Sequence, residues 1–123
     1  MPHLTSTRTF AMHGVQFHSY ASSAFGSARL AAWRAEFAPR TPGQPHRMSH
    51  EEVLHVLSGT LQVEVEHDRF TARAGDGVLV PANALFRVSN DADDPAEVWV
   101  TTELGMTATM EADGTAVQPP WAQ

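Results

Sequence analysis

The stretch HRMSHEEVLHVLSG, residues 46 to 59, places three histidines, a methionine and two adjacent glutamates in fourteen positions that otherwise read as a strand. Imidazole and carboxylate groups at this density can ligate a metal, move protons or line a pocket. Strand alternation puts Glu52, Leu54 and Val56 on one face, and Val53, His55 and Leu57 on the other. His55 therefore points away from Glu52. Glu51 also faces the other way, where solvent or an arginine such as Arg47 would meet it.

The elements that must position these groups are short. Apolar or alternating segments recur at ARLAAWRAEFA (28–38), EEVLHVL (51–57), TLQVEVE (60–66), GVLVP (77–81), ALFRVS (84–89) and EVWVTTEL (97–104), each closed by turn residues. That pattern predicts an all-β sandwich or barrel. Ser58 and Gly59 read as a hairpin turn, EHDR (66–69) as the next, and NDADDPA (90–96) as an acidic loop. Trp33, Ala35 and Phe37 share a strand face; Trp33 and Trp99 read as core or subunit-interface residues. Gln62 and Glu64 share a face that is exposed by default. Tyr20 is the sole tyrosine, with nothing in its spacing to give it a task. Ser27 lacks the strand–turn–helix setting of a nucleophile elbow. The tail from about residue 115 to 123, ending QPPWAQ, reads as an extended surface run anchored only by Trp121.

Composition narrows the chemistry. The 123-residue chain is long enough for one domain burying somewhat under ~70% of its unfolded surface. It has no cysteine, which removes disulfides and thiolate nucleophiles. Its eight basic residues are all arginine, which removes lysine Schiff-base chemistry. A net charge of −6, with the arginines scattered singly, argues against nucleic acid and anionic membrane as partners. The absence of a long apolar run or a signal-like start gives the expectation of a soluble, cytoplasmic protein.

The spacing carries a family resemblance. Arg40, His46, Met48, Glu52 and Gly59 fall at the offsets of the first signature of the cupin superfamily: glycine, histidine, histidine, glutamate, glycine. Gly75, Pro81, Asn83, Phe86 and Asn90 fall at those of the second: glycine, proline, glycine, histidine, asparagine. The chain thus resembles the small single-domain bacterial cupins over residues 39–90. The resemblance implies a double-stranded β-helix, or jelly-roll barrel, as a single domain across 1–123. It also implies that the motif histidines and glutamate converge on a divalent metal inside the barrel. Here only His46 and Glu52 remain as ligands; Met48 offers a soft thioether and Phe86 offers none. His50 has the parity to help but lies in a bend, and His18 could reach the barrel only in a favourable register. The scaffold residues Gly59, Gly75, Pro81 and Asn83 are kept or replaced by types that suit turns, Asn83 standing where a left-handed backbone is expected. Arg40, in a glycine's place, is expected near the barrel mouth, where it could attract an anion.

The resulting expectation is a small-molecule cavity lined by Met48, Leu54, Val56, Phe86 and Val88, containing His46 and Glu52 as a hydrogen-bonded pair. Such a pair could catalyse isomerisation, dehydration or cyclisation of a hydrophobic or carbonyl-bearing metabolite. Two alternatives stay open: a non-catalytic binding or sensing protein, and an oxygenase holding iron, manganese, nickel or zinc through His46 and Glu52, although the ligand count favours no metal. Apolar residues on both faces of EEVLHVL, with the resemblance, give the expectation of a homodimer, the Trp121 tail reaching across it.

Overall fold

The computed structural model describes residues 3–123. Twelve strands follow one another as β1 (Arg8–Met12), β2 (Val15–Ala21), β3 (Leu30–Phe37), β4 (His46–Met48), β5 (Glu52–Ser58), β6 (Thr60–Val65), β7 (Asp68–Arg73), β8 (Gly77–Val80), β9 (Leu85–Ser89), β10 (Ala96–Glu103), β11 (Ala108–Met110) and β12 (Ala116–Val117). They form two antiparallel sheets of six, in the orders β1-β2-β3-β10-β5-β8 and β12-β11-β4-β9-β6-β7. This is the all-β jelly roll expected. No described helix is long and apolar enough to cross a membrane.

Alternation decides what each sheet buries. Along β5, Glu52, Leu54 and Val56 are buried while Val53, His55 and Leu57 are exposed. β10 follows suit, with Val98 and Val100 facing in and Trp99 facing out. The inner faces of both sheets meet in one apolar core.

The Ser58–Gly59 turn is not a hairpin. β5 pairs with β10 and β8, whereas β6 pairs with β7 and β9, so the turn carries the chain from one sheet to the other. Gly59 makes the corner with φ +75°, and a Cβ there would lie 2.7 Å from the Pro95 carbonyl oxygen. A serine-glycine pair between alternating runs carries the same local signal in either case; long-range pairing decides. The EHDR turn does close a hairpin, with Val65 opposite Asp68.

Two motif positions hold left-handed backbone without being glycine: Arg40 (φ 56°) and Asn83 (φ 65°). Arg40 lies at the surface, clamped to Asp93 through Nε and a terminal nitrogen at 2.8 and 2.7 Å. That carboxylate already occupies the guanidinium, and Arg40 is not among the residues lining the cavity. Asn90, fully buried at the end of the second signature, staples two loops. Its amide nitrogen donates to the Ala38 and Asp94 carbonyls at 3.1 and 2.9 Å, and its carbonyl accepts from the Ala92 amide at 3.1 Å.

The C-terminal tail does not run over the surface. β12 pairs with β11, and a 3₁₀ turn at Pro120–Ala122 buries Trp121 and Ala122. The Trp121 indole stacks on Phe17 of its own chain, centroids 3.7 Å apart and planes within 6°. Backbone bonds help: Gly105 donates to Ala122 at 2.9 Å and Ser23 to Gln123 at 3.2 Å. The proline-rich composition excludes regular strand but not a packed turn, and an indole gains more from burial than from solvent. The tail therefore closes this chain's own barrel.

Candidate functional site

A cavity of about 160 Å³ lies between the inner faces of the two sheets. His46 enters from β4, where Phe86 of β9 stands opposite on one side and Met110 of β11 on the other. Its ring meets Phe86 edge-on, centroids 5.4 Å apart. Nδ1 lies 2.7 Å from the Gln44 carbonyl oxygen. A carbonyl only accepts, so Nδ1 carries the proton and Nε2 of the neutral ring is left as an acceptor. Burial pulls the His46 pKa below its usual value, against the opposing effect of the Gln44 bond.

Glu52 enters from the opposing sheet as the first residue of β5, paired with Val80. Its side chain lines the cavity, the residue is only 4% exposed, and its Oε2 has no hydrogen-bond partner among the described residues. Burial pushes its pKa up to about 8. At neutral pH it is a carboxylic acid, able to donate a hydrogen bond.

The expected hydrogen-bonded pair does not form: among the described residues His46 bonds to Gln44, and Glu52 Oε2 to nothing. With no mutual contact to offset it, desolvation governs both groups and pushes each toward its neutral form.

Met48, Leu54, Phe86 and Val88 line the cavity, but Val56 does not. Val56 faces inward as its parity requires, yet is sealed in the core at 1% exposure. Parity fixes a face, not a depth. Neither His50 nor His18 reaches the site. His50 is engaged with the Ser49 hydroxyl at 2.8 Å, and His18 stands on the outer face of β2 beside Thr9 and Glu36. Glu51 is exposed, and Arg47 pairs with Glu66 and Glu111 instead.

Several walls were not expected. Trp33, read as core or interface, lines the cavity with Phe17 and Phe37, and Trp121 joins them. All four described methionines, Met12, Met48, Met106 and Met110, also line it. Only tertiary pairing brings these dispersed positions together, and no local spacing announces them. Trp99 lies on the outer face, 5.1 Å from Tyr20.

A divalent metal does not fit this donor set. Among the described residues no three histidine, aspartate or glutamate side chains converge. Phe86, buried at a position where the resemblance implies a ligand, presents only carbon.

A protein-family model described as a cupin domain (Cupin_2) matches residues 33–102. The chain belongs to the cupin family. It is 30% identical over 77 residues to 1-hydroxy-2-naphthoate 1,2-dioxygenase of Nocardioides sp. (strain KP7), a match covering 60% of this chain and 20% of that protein. The cupin therefore aligns with only about a fifth of that relative's length. Among solved structures it resembles the polyketide cyclase RemF of Streptomyces resistomycificus, with TM-score 0.73 and 14% identity over 84% of this chain and 79% of the other. It also resembles an RmlC-like cupin from Shewanella frigidimarina, with TM-score 0.69 and 18% identity over 80% and 83% of the two chains. At these identities both likenesses concern the fold alone.

Proposed function

We propose that this cupin binds a small hydrophobic carbonyl compound and performs metal-free acid/base chemistry on it, with Glu52 as the acid and His46 as the base. One observation carries the reading: a buried carboxyl group with an unpartnered oxygen lines an apolar cavity across from an imidazole whose tautomer is fixed. Burying an unpaired polar atom costs about 1–3 kcal/mol, a cost a ligand hydrogen bond would relieve.

The roles follow from the protonation states. The Glu52 carboxylic acid donates to the carbonyl oxygen and stabilises the charge that develops there. His46 Nε2 removes a proton from the adjacent carbon, giving an enol held by Glu52. Returning that proton to another carbon isomerises the compound; expelling a β-hydroxyl as water dehydrates it; attack of the enol carbon on a second carbonyl cyclises it. Deuterium exchange into the position beside the carbonyl, followed by NMR, tests the first step shared by all three. Exchange should need both residues; exchange undiminished in Glu52→Gln and His46→Gln contradicts it.

The reading extends to a cytoplasmic homodimer. The outer face of the β1–β8 sheet presents Val53, Leu57 and Leu79 at 48, 42 and 58% exposure, with Val53 directly opposite Leu79. A second copy of this face would cover them.

A further inference from the structure

The acid/base reading leaves the compound class open, and the following inference rests on that reading while narrowing it. We propose that the cavity takes an uncharged carbonyl compound of a single six-membered ring, and that Trp121 sets the one-ring limit.

Charge is decided by what the walls lack. The polar lining residues are His13, Gln44, His46 and Glu52; among the described residues no arginine lines the cavity. The nearby arginines face outward into carboxylates, Arg34 to Glu36, Arg47 to Glu111 and Arg87 to Glu64. A carboxylate or phosphate guest would be desolvated beside Glu52 with no fixed cation to meet it. A neutral carbonyl compound carries no such cost. Its carbonyl oxygen can accept from the Glu52 acid while the proton on the adjacent carbon turns toward His46 Nε2.

Size is decided by volume. The cavity of about 160 Å³ is close to the roughly 150 Å³ dry cavity known to hold benzene. One ring fits such a space with little room to spare, and a fused second ring would have to press on a wall or extend toward the open mouth. Phe17, Trp33 and Phe86 supply aromatic walls, and the methionines can adjust to the substituents of a guest.

The Trp121 indole forms one of these walls, lying flat on Phe17, and is delivered by the last turn of the chain. It takes up space that a second ring would need. Gln123, whose side-chain amide donates to the Met106 and Pro119 carbonyls at 3.0 and 3.1 Å, ties that turn down independently of the indole. Trimming Trp121 should therefore widen the cavity without releasing the tail.

Calorimetric titration at pH 7 with acetophenone, benzoate and 2-acetonaphthone as probes tests this. The wild-type protein should bind acetophenone at least tenfold more tightly than either of the others. Trp121→Ala should bind 2-acetonaphthone at least as tightly as acetophenone and still discriminate against benzoate. Should that variant not fold, Trp121→Phe, which keeps an aromatic plug of smaller volume, should narrow the gap between the two ketones severalfold. Benzoate binding equal to acetophenone, wild-type binding of the bicyclic ketone, no binding of acetophenone, or an unchanged size preference in the folded variant would each overturn the proposal. Binding is read here without turnover. Correct selectivity without deuterium exchange removes the acid/base reading alone, whereas exchange on an anionic or bicyclic compound removes this inference alone.

Discussion

Glu52 and His46 face one cavity from opposite sheets without bonding to each other, and both are pushed toward neutrality by burial. This inverts the usual assignment, in which a glutamate is the base and a histidine the acid.

Stability should record the buried acid. Glu52 has a folded pKa of about 8 against an ordinary 4.5. A raised pKa means that the stabilising contribution is complete below pH 4.5 and is lost as pH climbs through 8. Glutamine mimics the protonated form at every pH. Glu52→Gln should therefore match the wild type near pH 4.5 and exceed it by a few kcal/mol above pH 8, measured by urea denaturation. His46, whose folded pKa is lowered, acts in the opposite sense in both proteins, and its effect cancels in the difference.

The same two groups set the pH profile of catalysis. For the deuterium-exchange reaction, kcat/KM should rise through a midpoint below 6.5 as His46 loses its proton and fall through about 8 as Glu52 loses its own. Removing either group should lower the rate by about 10²-fold or more. A profile still rising above pH 9 would contradict the assignment of Glu52 as acid.

Gly59 and Gly75 both have left-handed backbone, but only Gly59 has close neighbours. Alanine at Gly75 should cost about 1–2 kcal/mol, the strain of that conformation alone. At Gly59 the added methyl also meets the Pro95 carbonyl and Ala96 backbone, so the loss should be clearly larger. Thermal melts of the two variants provide the comparison; equal shifts would mean that the corner yields without cost.

Asn90→Asp tests the loop staple. It removes the amide that donates to the Ala38 and Asp94 carbonyls and puts oxygen against oxygen in a fully buried position. The expected loss is about 3 kcal/mol, read from chemical denaturation.

The outer sheet face makes the oligomer testable. Leu79→Glu should convert a dimer to a monomer in sedimentation velocity, since a charge would be buried without a partner. Unchanged sedimentation would place any interface elsewhere.

Much of the scaffold was legible because its signals are local or fixed in spacing. Period-two patterning gave the inward and outward faces of β5 and β6. Motif offsets anticipated the left-handed residue Asn83. What local signals cannot carry is pairing. The Ser58–Gly59 corner looks like a hairpin until β5 finds β10 on one side and β6 finds β9 on the other.

The same limit applied to the site. His46 and Glu52 could be placed in the interior from their motif positions, but not their separation, which depends on how far apart the two sheets stand. Val56 had the right parity and the wrong depth. Trp121 lay in a segment whose prolines suggested an exposed run, and its stacking on Phe17 links residues about a hundred positions apart.

The protonation state of Glu52 is the point on which the chemistry turns. Carbon-13 NMR of the ligand-free protein, labelled at the glutamate carboxyl carbons and assigned with Glu52→Gln, measures it directly. The account predicts a Glu52 titration midpoint near 8. A midpoint below about 5, the range of an ordinary glutamate, would contradict it.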